Sequence, residues 1–138
     1  MKSEVFLDTA YAIALSSARD SFHSQAVTIA HQIRKENTKI ITTRAVLLEI
    51  GNALSKLRYR AAAVQLLQAI ENDPNIGVVP LTETLYTEAF NLYQNRADKE
   101  WGLVDCVSFV VMQGRDISEA LTTDDHFRQA GFIPLLQN

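Results

Sequence analysis

Four carboxylates in this chain stand where a charge is out of place. Asp8 interrupts "VFLDTAYAIAL" (5–15), in which the other ten residues are apolar or small. Asp105 sits in "LVDCVSFVVM" (103–112), where only Asp105 and Ser108 are polar. Their three-residue spacing puts both on one helical face. A helix that is apolar nearly all round belongs in a core. A carboxylate buried there is costly unless it is paired, hydrogen-bonded or metal-bound. Asp124 directly follows the run "EALTT" (119–123). Glu49 lies about 100° around its helix from Ile50. That places it at the margin of a stripe made by Val46, Ile50, Ala53, Leu54 and Leu57.

Each acid also has an ordinary reading. Asp8 and Asp124 suit helix N-caps, Asp105 suits a first helical turn, and Glu49 suits a solvated boundary. Taken together they suggest more. Several carboxylates in one cleft repel each other and take up protons unless a cation joins them. Hard oxygen donors of this kind suit Mg²⁺ or Mn²⁺. An ion held there would acidify a bound water and supply a nucleophile near neutral pH. No CxxC, no HExxH and no HxE with a downstream CxxC is present, which argues against zinc. P-loop, dinucleotide-binding and GxSxG signatures are also missing.

The acids need a scaffold, and the pattern of the chain supplies one. Short β-like runs at 4–7, 38–43, 76–81, 119–123 and 132–136 alternate with helical patterns at 9–17, 20–36, 44–57, 59–73, 82–97, 103–114 and 124–131. Asp73-Pro74 stops the fourth helix. Such alternation predicts a three-layer α/β/α sandwich around a parallel sheet of four to five strands. In an open sheet of this kind, ligands bind beyond the carboxyl ends of the strands. Asp8 and Asp124 then face one crevice if their strands are neighbours.

The chain has 138 residues, 47% hydrophobic and 21% charged, with five Gly and three Pro. These numbers fit one folded domain over 1–138, with no linker or repeat. A lone cysteine, Cys106, fits a reducing compartment. No apolar run approaches the ~20 residues that span a bilayer. Asp8 interrupts the one segment resembling a signal-peptide core. The expectation is a cytoplasmic protein with no membrane segment. With a net charge of −3, any grip on nucleic acid must come from a local basic patch and metal ions.

"VFLDTAYAIAL", "LLEIGNALSKL", "DKEWGLVDCVSF" and "ALTTDDHF", in this order, resemble the blocks of PIN-domain ribonucleases. The likeness is greatest to VapC-type toxins of toxin–antitoxin pairs and covers essentially the whole chain. It implies an endoribonuclease that hydrolyses RNA phosphodiesters, leaving 5′-phosphate and 3′-hydroxyl ends, with Mg²⁺ or Mn²⁺ as cofactor. The family acids fall on Asp8, Glu49, Asp105 and Asp124, with Asp125 adjacent to the last. Asp8, Asp105 and Asp124 are expected as direct or water-mediated ligands, and Glu49 as a ligand or to position the water. Thr9, Thr123 and Ser108 are expected to hydrogen-bond the carboxylates or a metal-bound water. Asp98 reads as a loop cap beside the site, and His126, two residues beyond Asp124, as an exposed histidine of a short helix rather than a ligand. The resemblance also implies a homodimer and a small antitoxin partner.

For RNA contact, "KLRYR" clusters Lys56, Arg58 and Arg60 around Tyr59 just after the Glu49 helix. Arg44, Arg96, Lys99 and Arg128 lie in or beside the acidic blocks. All of these are candidates to touch phosphates, and each also reads as ordinary solvated surface. The alternative function is a catalytically idle PIN-type module that binds RNA or protein. The retention of all four acids favours activity. A response-regulator receiver is a poor fit, because the third strand ends "VVPLTE" without a phosphoacceptor aspartate.

Overall fold

The protein is described by a computed structural model covering residues 1–137. Five strands pair in parallel: β1 (Glu4–Leu7), β2 (Lys39–Thr43), β3 (Ile76–Val79), β4 (Glu119–Leu121) and β5 (Ile133–Pro134), in the order β3-β2-β1-β4-β5. The helices are α1 (Thr9–Ser16), α2 (His23–Glu36), α3 (Arg44–Ala53), α4 (Leu57–Asn72), α5 (Glu83–Asn95), α6 (Leu103–Gly114) and α7 (Asp125–Gln129). The expected α/β/α sandwich is therefore the fold. No helix among the described residues is long and apolar enough to cross a membrane.

Central strands buried on both faces explain why β1 and β2 read as near-continuous apolar runs. In register, Val5, Ile40 and Ile76 form one row, and Phe6 and Ile41 lie in the next, with Ala120 beyond Phe6. Leu7, Ile40 and Ile76 line a cavity of about 430 Å³ shared with α1, α2 and α4. On the opposite face, Phe6 meets Phe127, and Phe109 of α6 packs edge-on against both Phe127 and Trp101. Gly77 lets β3 pack tightly on β2, since a Cβ there would come within 3.1 Å of the end of the Ile41 side chain.

Capping chemistry sets several helix starts. Thr43 Oγ1 accepts the Val46 N–H at 3.1 Å and Thr82 Oγ1 accepts the Leu85 N–H at 3.1 Å. α2 ends on Asn37 in the left-handed region, at φ 58°.

The expected helix over 44–57 is corrected. α3 stops at Ala53, and Leu54–Lys56 turn the chain before α4 begins at Leu57. Arg60 Nη2 donates to the Ser55 carbonyl at 2.7 Å across this break. The apolar stripe is therefore broken after Ile50: Leu54 still packs half-buried against the core, but Ala53 is exposed and Leu57 is 92% exposed. The last two strands are also shorter than their sequence patterns, and Thr122 and Thr123 lie beyond β4.

Candidate functional site

The strand order reverses between β1 and β4, and this is the switch point where open α/β sheets bind ligands. Asp8 follows β1 directly, and Asp124 follows β4 after two threonines. The pairings Phe6↔Ala120 and Leu7↔Leu121 carry the two strand ends forward side by side. Asp8 N–H donates to the Leu121 carbonyl at 3.2 Å, which continues that ladder by one step.

Asp8 is only 5% exposed. Burial pushes its carboxyl up from the ordinary 3.8 to about 7. The negative charges of Asp105 and Glu49 add to the rise, while the Thr122 hydroxyl and the Thr9 backbone N–H oppose it. Thr122 Oγ1 donates to Asp8 Oδ2 at 2.7 Å and accepts the Asp124 N–H at 3.0 Å. Although Asp8 occupies the N-cap position of α1, its side chain caps nothing.

Asp105 is the third residue of α6, and its Oδ2 accepts the N–H of Gly102 at the N-cap at 3.1 Å. Burial raises its pKa above the usual carboxylate range, with the Asp124 charge adding to the rise; contacts from His126 and Gly102 pull the other way. Asp124 does cap its helix: Oδ1 accepts the His126 backbone N–H at 2.9 Å. The edge-on contacts of Phe109 with Trp101 and Phe127, together with a 3.0 Å bond from Trp101 Nε1 to Gln129 Oε1, fasten α6 to α7. Asp105 and Asp124 thus meet. One donor atom from each of Asp105, Asp124 and His126 lies within 4.8 Å of the other two. Glu49, half-buried on α3, takes a hydrogen bond from the Thr9 hydroxyl.

The other expected residues divide. Ser108 does not reach a carboxylate, because its hydroxyl donates to Val104 O of its own helix at 3.1 Å. A serine fully enclosed in a dry helix satisfies its proton on the preceding turn. The Thr123 side chain makes no hydrogen bond among the described residues; its neighbour Thr122 is the residue that binds Asp8. Asp98 is exposed and forks onto Arg96 at 3.0 and 3.1 Å, which holds its pKa below the usual value. Arg44 pairs with Glu71 on α4. Lys56, Arg58, Arg60 and Lys99 have no acidic partner within 4.0 Å among the described residues, and Arg58 lies 4.8 Å over the Tyr59 ring.

Two residues of the cluster escaped the sequence reading. Thr122 had a legible signal: aligning "FLD" with "ALT" in parallel register puts it beside Asp8. His126 had only its two-residue distance from Asp124. Far from being an exposed bystander, its side chain is 30% exposed and in contact with two acids.

Fold and site together define a three-layer α/β/α domain with a carboxylate centre at the switch point. The chain belongs to the PIN-domain family, whose profile matches residues 5–133. The 23S rRNA-specific endonuclease VapC20 of Mycobacterium tuberculosis is 29% identical over 129 residues, spanning 94% of this chain and 95% of that protein. The crystal structure of VapC20, a sarcin–ricin-loop-cleaving toxin, superposes with a TM-score of 0.81 over 94% of this chain and 96% of the other, at 28% identity. VapBC2 of Rickettsia felis, solved on a promoter DNA fragment, gives a TM-score of 0.71 over 95% of this chain and 96% of the other. At 13% identity that likeness is one of fold alone.

Proposed function

We propose that this chain is a Mg²⁺- or Mn²⁺-dependent endoribonuclease and the toxin of a toxin–antitoxin pair. The observation that carries the reading is Asp8. Its carboxyl is buried at the carboxyl ends of the strands and pushed up to about 7, chiefly by that burial with the Asp105 and Glu49 charges adding, and a bound cation would offset that cost of ionisation. The donor set is mostly carboxylate oxygen, as a hard divalent ion requires. When bound, such an ion supplies charge stabilisation at the scissile phosphate and acidifies a water.

The chain's own residues supply the rest. Asp8, Asp105 and Asp124 hold the ion directly or through water. Thr122 fixes the Asp8 carboxylate, Gly102 N–H fixes Asp105, and Thr9 fixes Glu49, so the acids are oriented before anything binds. Glu49 binds the ion or positions the water. Lys56, Arg58, Arg60 and Lys99 contact phosphates along the RNA. VapC20 makes a stem-loop of large ribosomal RNA the first substrate to try, and such a target lies in the cytoplasm. Exposed Leu48, Tyr86, Phe90 and Tyr93 support protein partners, an antitoxin and a second copy of the chain.

The test is cleavage of a sarcin–ricin stem-loop and of total RNA by the full chain. Cleavage should stop in EDTA, return with Mg²⁺ or Mn²⁺, and fail in Asp8→Asn. A protein that cuts equally well in EDTA would sink the metal mechanism.

A further inference from the structure

Carboxylates offer an ion only oxygen, but this cluster also holds a nitrogen. His126 is the second residue of α7, and its backbone N–H is already tied to Asp124 Oδ1. Its ring Nδ1 lies 3.1 Å from Asp105 Oδ2 and 3.5 Å from Asp124 Oδ1. Two neighbouring donors on an octahedral ion with bonds of about 2.0–2.2 Å stand about 3 Å apart, √2 times the bond length. The 3.1 Å separation matches that edge, and the 3.5 Å one is longer than it by about half an ångström. The neighbouring Phe127 is fully buried between Phe6 and Phe109, so the histidine backbone cannot drift from the acids. The side chains of Asp105, Asp124 and His126 are 15%, 36% and 30% exposed, which leaves an ion a way in.

We propose that His126 is a metal ligand through Nδ1, forming a mixed nitrogen–oxygen centre with Asp105 and Asp124, and that it favours Mn²⁺ over Mg²⁺. The proposal rests on the reading that the acids bind a divalent ion. Imidazole suits transition ions, whereas Mg²⁺ prefers carboxylate and water oxygens. A neutral imidazole also adds a ligand without adding another negative charge to a site already crowded with them. The simpler alternative is that Nδ1 carries a proton and donates to Asp105, which makes His126 a positioning residue only.

The two roles separate in metal binding by the full chain without RNA. Mn²⁺ binding is followed by electron paramagnetic resonance and Mg²⁺ binding by calorimetry, for wild type, His126→Ala and His126→Gln. The wild-type pulsed spectrum should show a directly bound ¹⁴N that both variants lose. Mn²⁺ affinity should fall about tenfold or more, in the range usual for disturbed metal spheres, with Mg²⁺ affinity far less affected. A wild-type Mn²⁺ spectrum without bound nitrogen, or one whose nitrogen survives in the variants, overturns the proposal alone. So does equal weakening of both ions. A wild type that binds neither ion overturns the proposal and the metal reading together.

Discussion

The Thr122 hydroxyl donates to Asp8 Oδ2 at 2.7 Å, joining residues 114 positions apart in the chain. Thr122 Oγ1 in turn accepts the Asp124 N–H at 3.0 Å. One buried hydroxyl therefore ties together the acids that follow two adjacent strands. The link exists because parallel register brings the ends of β1 and β4 level at the point where the strand order reverses.

Thr122→Val keeps the shape but removes both hydrogen bonds. Asp8 would be left buried with one donor fewer, and the Asp124 N–H would lose its acceptor. Leaving buried polar groups unpaired costs about 1–3 kcal/mol. Urea unfolding at pH 8 should show a loss of that size for Thr122→Val and a much smaller one for Thr122→Ser. Equal midpoints for wild type and the valine variant would refute the role of the hydroxyl.

Asp8 also makes metal-free stability depend on pH. Burial raises its pKa to about 7 in the folded chain, against an ordinary 3.8. Between those limits the folded state holds the extra proton, so stability contributed by this group falls as pH rises and is flat above the folded pKa. Asn cannot ionise. In EDTA, Asp8→Asn should therefore melt several degrees above wild type at pH 8, with the gap closing toward pH 4. Thermal melts by circular dichroism across this range decide it. A variant no more stable than wild type at pH 8 would show that the carboxylate is not strained by burial.

Added Mg²⁺ or Mn²⁺ should reverse this penalty. Ion and proton compete for the Asp8 carboxylate, so binding tightens as pH rises through about 7, and a tighter ligand stabilises more. The rise in Tm on adding either ion should be larger at pH 8 than at pH 6. In Asp8→Asn it should be small at both pH values. A wild-type Tm rise that is the same at both pH values would rule out Asp8 as the competing group.

The alternation of apolar runs and amphipathic helices made the layered fold legible, because buried parallel strands cannot hide their composition. Asp8 and Asp105 stood out for the same reason, as charges in otherwise dry surroundings. What the chain concealed depends on geometry across elements. Thr122 and Thr123 are indistinguishable as residues; only the register with β1 separates the one that touches Asp8. Leu57 continues the α3 stripe on a helical wheel, yet the turn at Leu54–Lys56 swings it into solvent. His126 looked exposed because a five-residue helix has too short a pattern to reveal which face meets α6.

The basic residues differ in what they have free to offer RNA. Arg44 is already paired with Glu71, whereas Lys56, Arg58 and Arg60 have no acidic partner among the described residues. Each phosphate neutralised on a single strand contributes about 0.7 to the slope of log K against log salt. In an Asp8→Asn background that blocks cleavage, the Lys56/Arg58/Arg60 triple alanine variant should flatten that slope by up to about 2. Arg44→Ala should alter it far less, since removing a paired cation also frees Glu71. Fluorescence anisotropy of a labelled stem-loop over a salt series measures both. An unchanged slope in the triple variant dismisses the patch, and a large change in Arg44→Ala shows that RNA takes this arginine from Glu71.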